Sequence, residues 1–296
     1  MLITTSNMDL LFKGLQTKYT DAYKNAPAQS EKIVMKVPSS SRDETYAWMG
    51  SFPGMREWLG PRIIQNFLST SFVITNRLFE STVRVDRNDI EDDRLGTFGP
   101  VFANMGQLAK RHPEELVFGL LKAGFTTNGY DGQFFFDVDH SVEIDGVATA
   151  VSNMQAGAGA PWFLLDCASE IRPIVWQERV PYTFESLVNP GDADVFTQNA
   201  FTYGVRARVN CGFGLWQLAF GSKATLDATN YAAARAAMMS NRADNGRIMG
   251  VTPTHLVVPP SLEAAALALL NTEFGAAGAS NPWKGTAELI VTPYLA

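Results

Sequence analysis

The sequence predicts an α+β fold in which one long helix follows an extended, strand-rich stretch. Apolar residues alternate at period two within residues 71–86, a pattern that is typical of strands. Residues 97–124 instead carry apolar side chains at spacings of three and four, which places them on one face of a helix. The second half of the chain mixes short strand patterns with alanine-rich helical ones. Together these observations indicate a mixed fold with both helices and sheets.

The long helix is the clearest predicted element. It would span about 28 residues, or about 42 Å at 1.5 Å per residue. Pro113 lies inside it, and we expect a kink there because the apolar pattern keeps its phase on both sides. The predicted buried face consists of Phe98, Val101, Phe102, Met105, Leu108, Ala109, His112, Leu116 and Leu120.

The stretch ahead of this helix is predicted to be a hairpin. Phe72 and Ile74, then Val83 and Val85, occupy alternate positions of two strands. Two strands alone are marginally stable in water, and the neighbouring sequence offers them little cover. We therefore expect a second copy of the protein to cover them, which indicates a subunit built for assembly. The acidic run that follows is expected to interact favourably with the partly positive N-terminus of the long helix, and part of its charge is expected to pair with nearby arginines. This run comprises Asp89, Glu91, Asp92 and Asp93.

The first 41 residues are predicted to form an arm. A helix ends near Asn25, an extended piece follows at 32–37, and turn residues 38–41 cut the segment off from the main body. The apolar face of this first helix would comprise Met8, Leu11, Phe12, Leu15, Tyr19 and Tyr23.

The remaining predicted elements are short. Aromatic residues within 44–62 are expected to pack as a loop cluster, and residues 156–160 form a glycine-alanine linker. A turn at 130–132 should lead into a strand from Gln133, and Ser261 should cap a helix. The other predicted elements are strands at 162–165, 174–178, 201–209, 214–220, 254–258 and 288–291, and a helix at 231–240.

Composition limits the possible functions. With 46% hydrophobic and 18% charged residues, the chain can bury an ordinary core. Its net charge of −6 argues against a protein that reads nucleic acid, although it permits one that encloses it. Cys167 and Cys211 are expected to be buried thiols in a reducing compartment. No apolar run is long enough to span a bilayer.

Catalytic and metal-binding motifs are scarce. The nucleotide-binding, nucleophile-elbow and zinc-protease patterns are all missing from the sequence. His112 lies on the apolar face of the long helix and is expected to be a core histidine. The strongest metal candidate is the group Asp137, Asp139 and His140, for which we favour a plain polar turn. We therefore predict no catalytic, cofactor-binding or metal-binding residue and no cofactor.

Several runs of residues carry a resemblance to a known family. They are FESTVRVDRNDIEDDRLG, HPEELVFGLLKAGF, YDGQFFFDVDH, GVRARVNCGFGLWQLAF and THLVVPPSLEAAA. In this order they resemble the major head, or major capsid, subunits of phage Mu and Mu-like prophages. The correspondence runs from Tyr46 to Leu295 and so covers nearly the whole chain.

The resemblance implies the HK97-like fold of tailed-phage major capsid proteins. Its parts are an N-terminal arm, an extended β-hairpin loop, a peripheral domain with a long spine helix, and an axial domain. Whether some strands of 170–222 belong to the peripheral domain is left open. The expected limits are 1–41 for the arm, 42–92 for the extended loop, 93–150 for the peripheral domain with the spine helix at 97–124, and 151–296 for the mainly axial part.

The resemblance also implies a function. Such subunits assemble into icosahedral shells of pentamers and hexamers that enclose double-stranded DNA without reading its sequence. The implied partners are other copies of the chain, a separate scaffold, a maturation protease, a portal and accessory head proteins. The expected location is the virion, reached by assembly in the host cytoplasm. The protein would not be an enzyme.

Two other functions were weighed against this one. An encapsulin-like nanocompartment shell would use the same fold to enclose an enzyme cargo. A metal-dependent enzyme would instead use Asp137, Asp139 and His140. A further expectation concerns covalent linkage, because some capsids of this fold join a lysine of the extended loop to an asparagine of a neighbour. No lysine occurs between Lys36 and Lys110 here, so we expect a shell held by non-covalent contacts.

Overall fold

Two larger sheets and three hydrophobic core clusters form the body of the part of the protein that the structure describes. The computed structural model describes residues 5–47, 49, 72–92, 97–144, 147–189, 192–243, 246–274 and 278–296. The helices in these ranges are α1 (Thr5–Asn25), α2 (Arg87–Glu91), α3 (Gly99–Ala123), α4 (Ala193–Gln198), α5 (Ala228–Met239) and α6 (Glu263–Leu270).

The first sheet has four strands in the order β1-β9-β10-β4. They are β1 (Val34–Pro38), β9 (Ile174–Leu187), β10 (Ala200–Phe213) and β4 (Arg77–Asp86). β1 runs parallel to β9, whereas the other neighbouring pairs are antiparallel. α1 and α3 pack together over this sheet around a shared core cluster that includes Met8, Phe102, Val85 and Phe201.

The second sheet has five short strands in the order β13-β12-β8-β11-β7. They are β13 (Glu288–Val291), β12 (His255–Val258), β8 (Trp162–Leu165), β11 (Ala219–Ser222) and β7 (Met154–Gln155). All four residues of β8 are fully buried. Trp162 and Leu164 face a cluster with α5 and α6, whereas Phe163 and Leu165 face a cluster with α3. Burial on both faces explains why β8 is a continuous apolar run.

Two further pairs of strands lie outside these sheets. β2 (Asp43–Thr45) pairs with β3 (Val73–Thr75), and β5 (His140–Ile144) pairs with β6 (Val147–Val151). In the described part of the chain, no helix is long and apolar enough to cross a membrane.

The long helix is confirmed as α3, with Pro113 inside it. The predicted apolar face is only partly right. Its first half buries Phe102, Met105 and Ala109 against α1 and the first sheet. In its second half, the predicted Leu116 and Leu120 pack half-buried against the cluster beneath the second sheet, and Val117, Phe118 and Leu121, which the prediction omitted, are fully buried in it. Two predicted core residues of the first half are exposed, Val101 by 42% and Leu108 by 57%.

The prediction of a hairpin within 71–86 is wrong. β3 pairs with β2, and β4 pairs along its whole length with β10. The fourteen residues of β10 offer β4 a continuous partner strand within its own subunit, so the strand pairing needs no second copy. The acidic residues Asp89, Glu91 and Asp92 lie in or directly after α2 rather than at the start of α3, and Asp93 lies outside the described residues. Glu91 forms an ion pair with Arg87.

The first helix and the extended piece of the arm are confirmed as α1 and β1. All six residues of the predicted apolar face of α1 belong to the core cluster that it shares with α3. The expectation that turn residues separate this segment from the body is wrong, since α1 packs along α3 and β1 adds an edge strand to the first sheet. The domain limits themselves stay a prediction.

Several local predictions also need correction. No strand begins at Gln133, because the chain makes a single bridge at Phe134 and the strand starts at His140. Ser261 does not cap a helix, since a 3-10 turn precedes α6. The predicted strand at 214–220 contains a 3-10 turn before β11. The aromatic loop cluster lies mostly outside the described residues, although Tyr46 is buried and its hydroxyl contacts Gln177 at 2.9 Å.

Candidate assembly surfaces

The acidic and histidine cluster at 137–140 forms a polar turn. His140 is fully buried, its Nδ1 lies 2.6 Å from a carboxylate oxygen of Asp131, and its ring stacks on Trp216. The carboxylate of Asp137 accepts a hydrogen bond from the backbone of Val138. Within the described ranges, no three His, Cys, Asp or Glu side chains converge as metal ligands. These contacts hold the turn in place against Asp131 and Trp216.

The other two histidines have structural partners. His112 Nδ1 lies 2.6 Å from the Tyr182 hydroxyl, and the His112 ring meets Phe79 edge to face. Burial lowers the pKa of His112, so its neutral form is favoured in this setting. His255 contacts the hydroxyl of Thr254 and the carboxylate of Glu288. The His112 ring is thus satisfied as predicted, although it is half-buried beside α3 rather than enclosed in a core cluster.

Both cysteines are free and poorly suited to reaction. Cys167 is buried, and Cys211 is largely covered. Burial raises the pKa of each thiol to about 12, which leaves little thiolate near neutral pH. Neither cysteine is therefore a candidate nucleophile.

A groove of about 250 Å³ runs between the middle of α3 and the first sheet. Its walls are mainly apolar, and the imidazole of His112 within it is already bound to Tyr182. Glu115 and Arg111 also line the groove, and the described side chains show no nucleophile beside them in the arrangement of a catalytic triad. Its other lining residues include Phe79, Met105, Leu108 and Tyr294.

Charged side chains fasten the arm to the rest of the subunit. The carboxylate of Glu31 lies 2.8 Å from Lys110 Nζ and 3.0 Å from Lys36 Nζ. The hydrogen bond from Lys110 is the main cause that lowers the pKa of Glu31. Lys32 forms an ion pair with Glu288 on β13, and Arg172 Nη1 donates to three backbone carbonyls of residues 31–34. The arm is thus bound to α3 and to the second sheet.

Large apolar side chains remain exposed at projecting parts of the subunit. Phe196 on α4 is 85% exposed at the end of the hairpin formed by β9 and β10, and Val147 at the start of β6 is 64% exposed. The sequence reasoning missed both, because neither lies in a periodic pattern. The only local signal was the uncharged run at 147–151 directly after an Asp-Gly pair. The other strongly exposed apolar residues include Leu10, Leu78, Leu108, Val138, Ile248 and Phe274.

Comparisons of sequence identify the family. The profile described as "Mu-like prophage major head subunit gpT" matches residues 8–295. The chain is 39% identical over 305 residues to the major capsid protein of Escherichia phage Mu, with both chains covered in full. It is also 39% identical to the Mu-like prophage FluMu major head subunit of Haemophilus influenzae, with 99% of each chain covered.

Comparisons of structure agree. The fold matches a chain in the procapsid of bacteriophage JBD30 with a TM-score of 0.89 and 41% identity, covering 99% of this chain and all of the other. A chain of the JBD30 capsid matches with a TM-score of 0.79 and 31% identity, with both chains covered in full. The predicted HK97-like capsid fold is confirmed by these neighbours.

The comparisons lend no support to a nanocompartment shell or a metal-dependent enzyme, since the relatives named above are structural proteins of phage heads. In the structure, His140 Nδ1 contacts Asp131, and the Asp137 carboxylate accepts a hydrogen bond from the Val138 backbone. The chain therefore belongs to the Mu-like prophage major head subunit gpT family, and it is a structural capsid protein of a phage head.

Proposed function

We propose that this chain self-assembles into pentamers and hexamers of an icosahedral shell that encloses double-stranded DNA. The observation that carries the proposal is the match of the whole chain to a procapsid chain of JBD30, at a TM-score of 0.89. The match covers 99% of this chain and all of the procapsid chain.

The structure supports a subunit that folds first and assembles afterwards. Its three core clusters are closed by residues of one chain, and β4 finds its partner strand within the same sheet. The apolar side chains left outside, above all Phe196, are then free to contact other subunits. Assembly would thus join folded units.

We also propose the arrangement of domains. The arm is 1–41, and the extended loop is 42–92, with the β2–β3 pair at its base. The peripheral domain contains α3 within 93–150 together with β9 and β10, which return to it and pair there with β1 of the arm and β4 of the extended loop. The axial domain is the rest of 151–296, built around the five-stranded sheet, α5 and α6.

The proposed partners follow from the family. They are a separate scaffold, a maturation protease, a portal and accessory head proteins, with assembly in the host cytoplasm. The JBD30 capsid is decorated with trimers of a minor capsid protein, which supports an accessory partner of this kind. With 30 acidic and 24 basic side chains, the subunit carries no excess positive charge to hold the enclosed DNA.

Electron microscopy of the expressed chain, with the scaffold from the same phage, tests the proposal. We expect closed shells, and we expect Phe196→Asp to prevent them without changing the melting temperature of the free subunit. Phe196→Leu keeps an apolar side chain and should still form shells. Small discrete oligomers from the wild-type chain would overturn the proposal, and shells from Phe196→Asp would remove this residue from the interface.

A further inference from the structure

The two-stranded sheet of β5 and β6 leaves a strand edge open. In the part of the chain that the structure describes, β6 pairs with β5 alone, in a register that sets Val142 opposite Thr149. Alternate residues of an antiparallel strand direct their N–H and C=O groups away from the partner. β6 therefore presents backbone donors and acceptors along its outer edge, where another strand can add.

β6 is also uncovered on its faces. Residues 147–150 are all exposed. On β5 the matching face is covered, because Val142 is 3% exposed within the core cluster beneath the second sheet. Thr149 and Val147 lie on that same face of the pair but project beyond the core. An additional strand beside β6 would cover the apolar side chain of Val147.

The sequence of β6 reads the same in both directions. It is Val147-Ala148-Thr149-Ala150-Val151. An antiparallel copy centred on Thr149 therefore sets valine opposite valine and alanine opposite alanine. The strand holds no charged residue and no proline, which are the features that usually protect an open edge from pairing. A contact about a twofold axis requires a surface that is complementary to itself, and β6 has that property.

We propose that β6 pairs with β6 of a second copy of this chain, antiparallel about a local twofold axis at Thr149. The result is a four-stranded sheet that crosses the boundary between two subunits. It removes the weakness of an isolated pair of strands, since three or more strands are needed for independent stability. This inference rests on the proposed self-assembly, which supplies the second copy.

Disulfide formation in assembled particles tests the pairing. Directly opposite residues of antiparallel strands have Cα atoms about 4.5 to 5.5 Å apart, which suits a disulfide. We expect Thr149→Cys to give a dimer on mild oxidation that reductant reverses. Val147→Cys is the matched control, because the two copies of residue 147 would lie about 13 Å apart along the strands. The native cysteines contribute little background, since burial raises their pKa to about 12.

A mixture of Val147→Cys and Val151→Cys subunits provides a second measurement, because these positions face each other in the proposed register. We expect the mixture to form dimers that neither variant forms alone. Particles in which neither Thr149→Cys nor the mixture gives a dimer would overturn the β6 pairing and leave the proposed function intact. The pairing would also be overturned by a disulfide to a protein of another mass. The same holds if Val147→Cys alone forms as much dimer as Thr149→Cys. If the wild-type chain forms no particles, the proposed function fails and the pairing fails with it.

Discussion

Val85 on β4 and Phe201 on β10 stand opposite each other in antiparallel register, and both side chains are buried against α1 and α3. This pairing joins the end of β4 to the core of its own subunit, whereas most other residues of that strand are exposed. The same cluster includes Phe102 of α3 and Met8 of α1, so one small region joins the arm, the spine helix and two strands.

Shortening Val85 should therefore weaken the folded subunit. We expect Val85→Ala to lower the free energy of unfolding by about 2 kcal/mol, from the lost apolar burial and the cavity that remains. Denaturant unfolding of the unassembled chain measures this change. Arg84→Ala, at the neighbouring exposed position, should change it by less than about 0.5 kcal/mol. Equal effects from the two variants would show that β4 is not held in the subunit core.

Two leucines on α3 test which face of the spine helix is buried. Leu121 is fully buried beneath the second sheet, whereas Leu108 is 57% exposed. We expect Leu121→Ala to cost about 2 to 5 kcal/mol of unfolding free energy. Leu108→Ala should cost less than about 0.5 kcal/mol, although the spacing of apolar residues predicts that Leu108 is on the buried face. Thermal unfolding of the two matched variants checks this difference. A larger loss from Leu108→Ala would contradict the observed orientation of the helix.

The ion pair between Glu31 and Lys110 should make the attachment of the arm sensitive to acid. The hydrogen bond from Lys110 lowers the pKa of Glu31 in the folded state. The stabilisation is therefore complete above the unfolded pKa of about 4.3, and it is lost as pH falls through the lower folded value. We expect Lys110→Met to be less stable than wild type at pH 7, with the deficit shrinking below about pH 4.

Melting temperatures between pH 7 and pH 3 measure the deficit. Lys110 Nζ also lies 5.5 Å from the centre of the Tyr23 ring. Lys110→Met loses this contact whatever the charge of Glu31, so this part of the deficit should not change as Glu31 titrates. Lys13→Met, at an exposed position of α1, serves as the control and should show no such trend. A deficit for Lys110→Met that stays constant across the range would exclude Glu31 as its source.

The shell should lack covalent links between subunits. Residues 37–109 contain arginines but no lysine, and guanidinium stays protonated and cannot attack an amide. Mature particles boiled in detergent with reductant should give a single band of the major subunit, at its monomer mass of 32.4 kDa or at a smaller mass if the chain is processed. A ladder of higher bands containing this chain would show that another nucleophile forms the link.

The sequence by itself determined the elements that depend on local periodicity. The extent of α3, the buried face of α1 and the limits of β8 and β13 follow from the spacing of apolar residues, and the structure confirms them. The satisfied position of His112 on α3 followed from its place in the helical pattern, and the family followed from runs of residues in a shared order. The polar turn at 137–140 was favoured because no second group of ligands accompanied it.

Only the tertiary structure decided which strands pair and which apolar residues stay outside. β3 and β4 are adjacent in sequence, yet β3 pairs with residues 43–45 and β4 with residues 200–209. Nothing in the local pattern distinguishes these partners, because pairing depends on which distant segments reach the same place. Leu108 and Leu121 belong to the same helix, but α3 turns different faces to its two core clusters, so the neighbours of each residue determine its burial.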